Sequence, residues 1–499
     1  MKSQTAALSK AQAATSAEAI QELPPTEKAK SSSLSQAAAL RILYSLMVPT
    51  MMMPLLSSMS RVALPIVRND FQIAADMTAW VDAIFTLPFM FLMPVYGRLS
   101  DGVGRRRLIL AGIVIFAIGT TMTVTAANLA WLMAGRAIQG VGTAGMMPLA
   151  MAMISTIFPP TERGKALGTW SSVGPTTAFV GPLIAGFLVD HYGWRAAFAP
   201  PLLIAVISLA VVYKNVPAGL STVKPRFWRT FDWLGVTLLA GATTMLLFFL
   251  SSRPITGVEP LQDWRLGLGM VSLFLFFYLW ERRQRTPFVD LSLFQNRMFT
   301  LGSICGAMRM VVMAGQGFLI VLYLVDIHGV SAANLGTITM ISAGSMALIV
   351  RFGGQVADRW GSRWPTVLGI GGQGTVMVIF AFLPPTTPLW VIALVLAFYG
   401  QAAGFVLAAL HRAAIGNISN MQMGSATGLY SMIRFAGAMV GTALCGVILQ
   451  HYLNQGLPVL AAYQRAFLFL ACAALVGSSL GFTLREPNKT KTQIAPATS

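Results

Sequence analysis

Six ionisable side chains lie inside long apolar stretches of the sequence: Arg61, Asp82, Arg136, Arg309, Arg351 and Arg434. A charge at the centre of a membrane helix costs about 2.5–3.5 kcal/mol on insertion scales, so such residues are kept for ion pairs, proton relays or contact with a charged solute. Asp82 is the one carboxylate clearly inside an apolar stretch of the first half, roughly one helical turn from its end. That position suits a protonation site or a rim carboxylate. Arg136, Asp82, Arg61, Arg309 and Arg434 are therefore the candidate proton-coupling and transport residues. Two arrangements fit the arginines. One is a cavity biased towards an anionic or acidic amphipathic solute. The other pairs them with Asp82, Asp326 and backbone carbonyls and leaves a neutral cavity.

Enzyme chemistry finds little footing. The histidines His191, His328, His411 and His451 are dispersed, with no HExxH or clustered ligand pattern, so no metal site is expected. No Gly-x-Ser-x-Gly elbow occurs. GVGTAG (140–145) and GIGGQG (369–374) match a dinucleotide fingerprint but lie in apolar stretches without a preceding strand. Neither ends in Lys-Ser/Thr, so ATP is not the expected energy source, and no cofactor is expected. Cys305, Cys445 and Cys472 are far apart and read as small buried hydrophobes.

These residues must be positioned by helices in lipid. Of the 499 residues 55% are hydrophobic and 10% charged, against about 25% charged in soluble domains. The net charge of +18 comes from short basic clusters between apolar runs, which fits membrane rims and not nucleic-acid binding. Runs of about 20 apolar residues predict fourteen transmembrane helices. Positive-inside counting puts seventeen loop Lys and Arg on the side of the N-terminus. The other side receives five, namely Arg68, Arg195, Arg253, Arg265 and Arg465. Both termini are thus expected in the cytoplasm. GRLSDGVGRRR (97–107) and GGQVADRWGSR (353–363) follow the second and tenth spans and share Gly-x-x-x-Asp with a later Gly and Arg. A repeat at equivalent loops is the sign of two related bundles. The expected organisation is a polar tail at 1–40, a six-helix bundle at 41–215, two inserted helices with their loops at 216–296, a second six-helix bundle at 297–485, and a polar tail at 486–499.

Three motifs in order carry a family resemblance over about residues 43–484: GRLSDGVGRRR between spans two and three, RAIQGVGTAG (136–145) in span four, and GPLIAGFLVDHYGWRAAF (181–198) in span five. The chain resembles the major facilitator superfamily, in particular its fourteen-span drug:proton antiporter branch. The resemblance implies an all-α integral membrane fold of two six-helix bundles plus two inserted helices. It also implies proton-coupled export of small amphipathic compounds by alternating access across a bacterial inner membrane. Protons, membrane lipid and a periplasmic adaptor protein are the partners it suggests.

It links the basic residue of span four, here Arg136, to proton coupling. In the loop motifs, Gly97, Asp101, Gly104, Arg105, Asp358 and Arg359 form the gating set. Asp101 is expected to latch onto a helix N-terminus or an Arg of the other half, and Arg105–Arg107 to anchor at anionic lipid. Gly174, Pro175, Gly181, Pro182 and Gly186 form the antiporter-type packing set, and GAMVGTALCG (437–446) is a second small-residue stretch. The first span departs from the family pattern: in LLSSMSRVALP (55–65), Leu56 stands where an Asp is usual and Arg61 where an Asn is usual. That motivates two alternatives, transport of an organic anion or lipid-like substrate with different coupling, and a transport-inactive sensor or scaffold. Among 28 methionines, Met51–Met53, Met146, Met147, Met308, Met310 and Met313 suit either an adaptable pocket or helix filler.

Overall fold

A computed structural model of the chain describes residues 35–218, 231–284, 287–416, 418 and 422–484. Among them every regular element is helical. The long helices run in order: α1 Gln36–Asp70, α2 Ala75–Ser100, α3 Arg105–Val124, α4 Leu129–Ile157, α5 Glu162–Tyr192, α6 Trp194–Asn215 and α7 Trp233–Ser251. They continue as α8 Trp264–Glu281, α9 Arg297–His328, α10 Ala332–Trp360, α11 Arg363–Phe382, α12 Leu389–Ile415, α13 Ser425–Asn454 and α14 Val459–Gly481. Thirteen of these are long and apolar enough to cross a membrane. The exception, α8, has 18 residues and includes Arg265 and Glu281 within that length, so its apolar stretch falls short.

Local sequence sets the helix ends. Asn296 accepts from the backbone N–H groups of Met298 (3.0 Å) and Phe299 (3.2 Å) and so starts α9. Gly104 (φ 93°) and Gly361 (φ 77°) occupy the left-handed region at the two repeated loops, where a side chain would be strained. α1 is broken at Met51, three residues before Pro54, whose ring cannot follow the preceding turn. The same helix begins at Gln36, inside the segment expected to be tail. The remainder of that tail, and all of 486–499, lie outside the described residues.

Helices α1–α6 pack mainly on one another, as do α9–α14. The halves are joined chiefly by α2 with α13 and α5 with α10, and more lightly by α1 with α9 and α10. Small residues let them approach. A Cβ on Gly186 of α5 would lie 2.5 Å from the Ala332 carbonyl oxygen of α10, and one on Gly336 would strike the Pro182 carbonyl. Gly437 and Gly441, in the second small-residue stretch, sit instead against α9, within one half. Helices α7 and α8 pack on each other, with α7 also against α2 and α13. The indole of Trp80 on α2 donates to the Ser251 carbonyl of α7 at 2.7 Å.

Candidate functional site

Arg136 is the most completely enclosed charge in the first half, 1% exposed. It reaches its partners because α4 lies close to α2: a Cβ on Gly140 would meet the Phe85 carbonyl and come within 2.8 Å of the Pro88 ring. The guanidinium donates from Nη2 to Asp82 Oδ1 (3.0 Å), from Nε to the Val81 carbonyl (3.1 Å) and from Nη1 to Gln139 Oε1 (3.2 Å). It also lies over the Phe85 ring, 4.8 Å from its centroid. Gln139 passes the network on, donating from Nε2 to Thr120 Oγ1 at 3.1 Å. The spacing of Arg, Gln and Gly in RAIQG is thus explained by one helix face: two polar side chains three apart, then a glycine that admits α2. Asp82 lies two turns inside α2.

Asp82 also lines a cavity of about 60 Å³ between the halves, with Met53, Ser57, Arg61, Phe85, Thr86 and Phe89 on one wall and Met310, Met313, Ala314, Phe435, Ala438 and Thr442 on the other. Phe89 and Phe435 meet edge to face across it at 4.8 Å. Such a space holds about two waters, well below the ~300 Å³ of a typical drug-sized site. Arg61 points at α9, where Gly317 makes room; a Cβ there would sit 2.9 Å from Arg61 Nη1.

The second half is wired differently. Arg309 on α9, also 1% exposed, donates to the Ala403 carbonyl of α12 at 2.9 Å and leaves its Nε without a partner. Arg434 on α13 donates to His411 Nε2 at 3.3 Å and lies over Tyr430 and Phe435. Neither meets Asp326, the partner considered from sequence. That carboxylate instead takes Arg68 (2.8 Å to Nη1) and the Tyr463 hydroxyl (2.6 Å). Arg351 is exposed on the surface of α10.

Arg68 and Asp326 belong to a seal between the halves at one end of the bundle. Asp190, at the end of α5, accepts from the N–H groups of Ala332 (2.9 Å) and Ala333 (2.8 Å) at the start of α10, a charge-assisted helix cap. The Ala75 N–H of α2 donates to Gln450 of α13 at 3.0 Å. Sequence reasoning did not single out Asp190. Its only signal was an acidic residue ending the apolar GPLIAGFLV run, eight residues beyond Pro182.

The gating set lies at the opposite end. Gly97 accepts from Ser100 Oγ at 2.6 Å, and Arg105 donates to the Ala152 carbonyl of α4 at 3.1 Å. Asp358 pairs with Arg412 of its own half at 3.0 Å, and Arg359 is exposed. The Asp101 side chain, on which the latch was expected to rest, lies outside the described residues. Of the packing set, Gly181 and Pro182 are buried at helix contacts, with Ser58 over Gly181, and Gly186 meets α10. Gly174 and Pro175 are half-exposed, and nothing crowds Gly174.

Comparisons with known proteins agree with this architecture. The family model described as Major Facilitator Superfamily matches residues 46–442 and 302–498. The riboflavin transporter RibZ of Clostridioides difficile (strain 630) is 27% identical over 402 residues, covering 81% of this chain and 86% of that protein. Multidrug resistance protein 3 of Bacillus subtilis (strain 168) is 27% identical over 388 residues, covering 75% and 72%. The crystal structure of the peptide transporter POT in complex with sulfate superposes with a TM-score of 0.65 at 14% identity, covering 90% of this chain and 96% of that one. The relatives and structural neighbours are transporters, not enzymes. With thirteen membrane-length apolar helices and a family match spanning most of its length, this chain is a multi-pass transporter belonging to the Major Facilitator Superfamily.

Proposed function

We propose that this protein exports small amphipathic compounds in exchange for protons, by alternating access across a bacterial inner membrane through fourteen spans. Both termini lie in the cytoplasm. The fourteenth span is α8, which pairs with α7 as the insert between two bundles. The observation that carries the reading is Asp82, a carboxylate that both lines the central cavity and neutralises the buried Arg136. Protonating Asp82 removes its charge and weakens its hold on Arg136. A proton taken up there therefore changes the electrostatics of the cavity wall that the cargo contacts. Methionine and phenylalanine side chains supply a pliable apolar lining for varied cargo. The seal built from Arg68, Asp190, Asp326 and Tyr463 then belongs to the periplasmic face and closes in the inward-facing state.

The test is proton flux in proteoliposomes against a panel of cationic, neutral and anionic amphiphiles. Cargo-dependent proton movement is expected from the wild type, and its loss from Asp82→Asn and from Arg136→Gln. Undiminished coupled flux in Asp82→Asn would overturn the coupling role. Absence of any flux across the panel in the wild type would favour a scaffold of the same fold.

A further inference from the structure

The two halves treat their buried arginines unequally. Arg136 has a carboxylate. Among the described residues, no Asp or Glu pairs with Arg61, Arg309 or Arg434. Guanidinium groups stay protonated in proteins, so the C-terminal half holds fixed positive charge in a membrane interior with no carboxylate paired to it among the described residues.

The charges converge. Arg434 packs its stem on Gly306, one turn before Arg309 on the same helix; a Cβ at Gly306 would lie 3.1 Å from Arg434 Cγ. The two charges are near enough to act on one another. Arg309 bonds α12 at Ala403, one turn beyond Tyr399, whose buried hydroxyl has no partner among the described residues. The Arg309 Nε is likewise orphaned. Tyr430 stands one turn before Arg434, beneath its guanidinium, with the ring centroid 5.3 Å away.

His411 does not neutralise the cluster. Its Nδ1 faces the Leu407 carbonyl at 2.9 Å and must donate, which leaves Nε2 to accept from Arg434 and keeps the ring neutral. What remains is a cluster of donors only partly satisfied by the protein, with the Arg309 Nε and the Tyr399 hydroxyl left over. Buried polar atoms are ordinarily satisfied, and this combination is the one that oxyanions satisfy. Met310 and Phe435, the chain neighbours of Arg309 and Arg434, line the central cavity, as does Arg61.

We propose that Arg309 and Arg434, with the hydroxyls of Tyr399 and Tyr430, form an anion pocket in the C-terminal half. It holds the carboxylate head of an amphipathic substrate whose apolar body occupies the methionine- and phenylalanine-lined cavity. This rests on the transport reading above and narrows its substrate class to acidic amphiphiles. A phospholipid headgroup offers similar oxyanion chemistry, so the experiment separates the two sources.

The full chain in phosphatidylcholine nanodiscs is titrated with a dansyl-labelled undecanoate and with its uncharged amide. The carboxylate is expected to bind at least about tenfold more tightly than the amide. Arg309→Gln, Arg434→Gln and Tyr399→Phe should each weaken carboxylate binding, the arginine variants by about tenfold or more, and leave amide binding unchanged. Equal affinities for the two probes, or carboxylate binding indifferent to Arg434→Gln, would overturn the proposal. Arg434 is half-buried and Tyr399→Phe keeps the ring, so these two variants serve if Arg309→Gln does not fold. Loss of carboxylate binding when phosphatidylglycerol is added would reassign the pocket to lipid and also overturn it. Proton flux is read separately. Carboxylate binding without flux leaves the pocket standing and removes the coupling reading, whereas coupled flux of neutral amphiphiles without carboxylate preference does the reverse.

Discussion

The geometry around Arg136 makes the type of cation matter. Its three nitrogens engage Asp82, the Val81 carbonyl and Gln139 in three directions, which a planar guanidinium achieves and a lysine ammonium on a flexible stem does not. Arg136→Lys is therefore expected to keep the charge but lower transport by about tenfold or more in a proteoliposome assay. Asp82→Ala strands Arg136 in a buried site and should cost about 3–5 kcal/mol, read as earlier thermal unfolding in detergent. Unchanged melting in Asp82→Ala would show that Arg136 finds other compensation. The helix face that Arg136 shares with Gln139 and Gly140 was legible from sequence, because RAIQGVGTAG carries its own geometry: a charge in an apolar run, a glutamine three residues on, and a glycine where a neighbour crosses. The partnership with Asp82 was open, since 54 positions separate the two and only packing of α2 against α4 brings them together. The unpaired state of Arg309 and Arg434 was equally open, because sequence does not reveal that Asp326 turns to Arg68 and Tyr463.

Single glycines set the distances between helices. Gly140 has the Phe85 carbonyl against it and Gly336 has the Pro182 carbonyl. A methyl group at either must push backbone and not a movable side chain, at about 1–3 kcal/mol. The two positions differ in what moves. Gly140→Ala strains contact within the first half and should lower thermal stability outright. Gly336→Ala strains contact between halves and is relieved by parting them. It should raise thiol labelling of a cysteine placed at Ala333 while leaving melting nearly unchanged; no gain in labelling would show that the α5–α10 contact is not part of the seal. Apolar runs gave the helices and their order well, since burial in lipid demands length and little else. The marginal one was α8, where Arg265 and Glu281 stand at the limits of 18 residues. The start of α1 at Gln36 was hidden because its first turn, QAAALR, carries helix-forming residues and little hydrophobicity.

For the molecule as a whole, closure at one end depends on polar groups that must separate. Asp190 on the α10 N-terminus and Arg68 with Asp326 and Tyr463 bridge the halves. Cysteines replacing Asp190 and Ala333 should form a disulfide on oxidation, since side-chain to backbone contact there is 2.8 Å and disulfides need closely facing residues. That bond should abolish transport, with recovery on reduction. Retained transport in the oxidised protein would show that the halves do not part at this end. The two repeated loops share a backbone geometry as well as a motif, since both place a glycine in the left-handed region after a long helix. The seal at the other end left no such repeat, because it is made of unlike residues from each half.

The tether between Trp80 and Ser251 has a mechanical corollary. Helix α7 is moored to α2 by a buried bond yet leans on α13 across the join. When the two bodies tilt apart, α7 must travel with α2 and slide over α13, so one flank of the join stays shielded from bilayer by moving protein. Among the described residues, the opposite flank, where α5 meets α10, has no such awning. A solute dissolved in the hydrocarbon would therefore find its sideways path into the centre there, on the unshielded side alone.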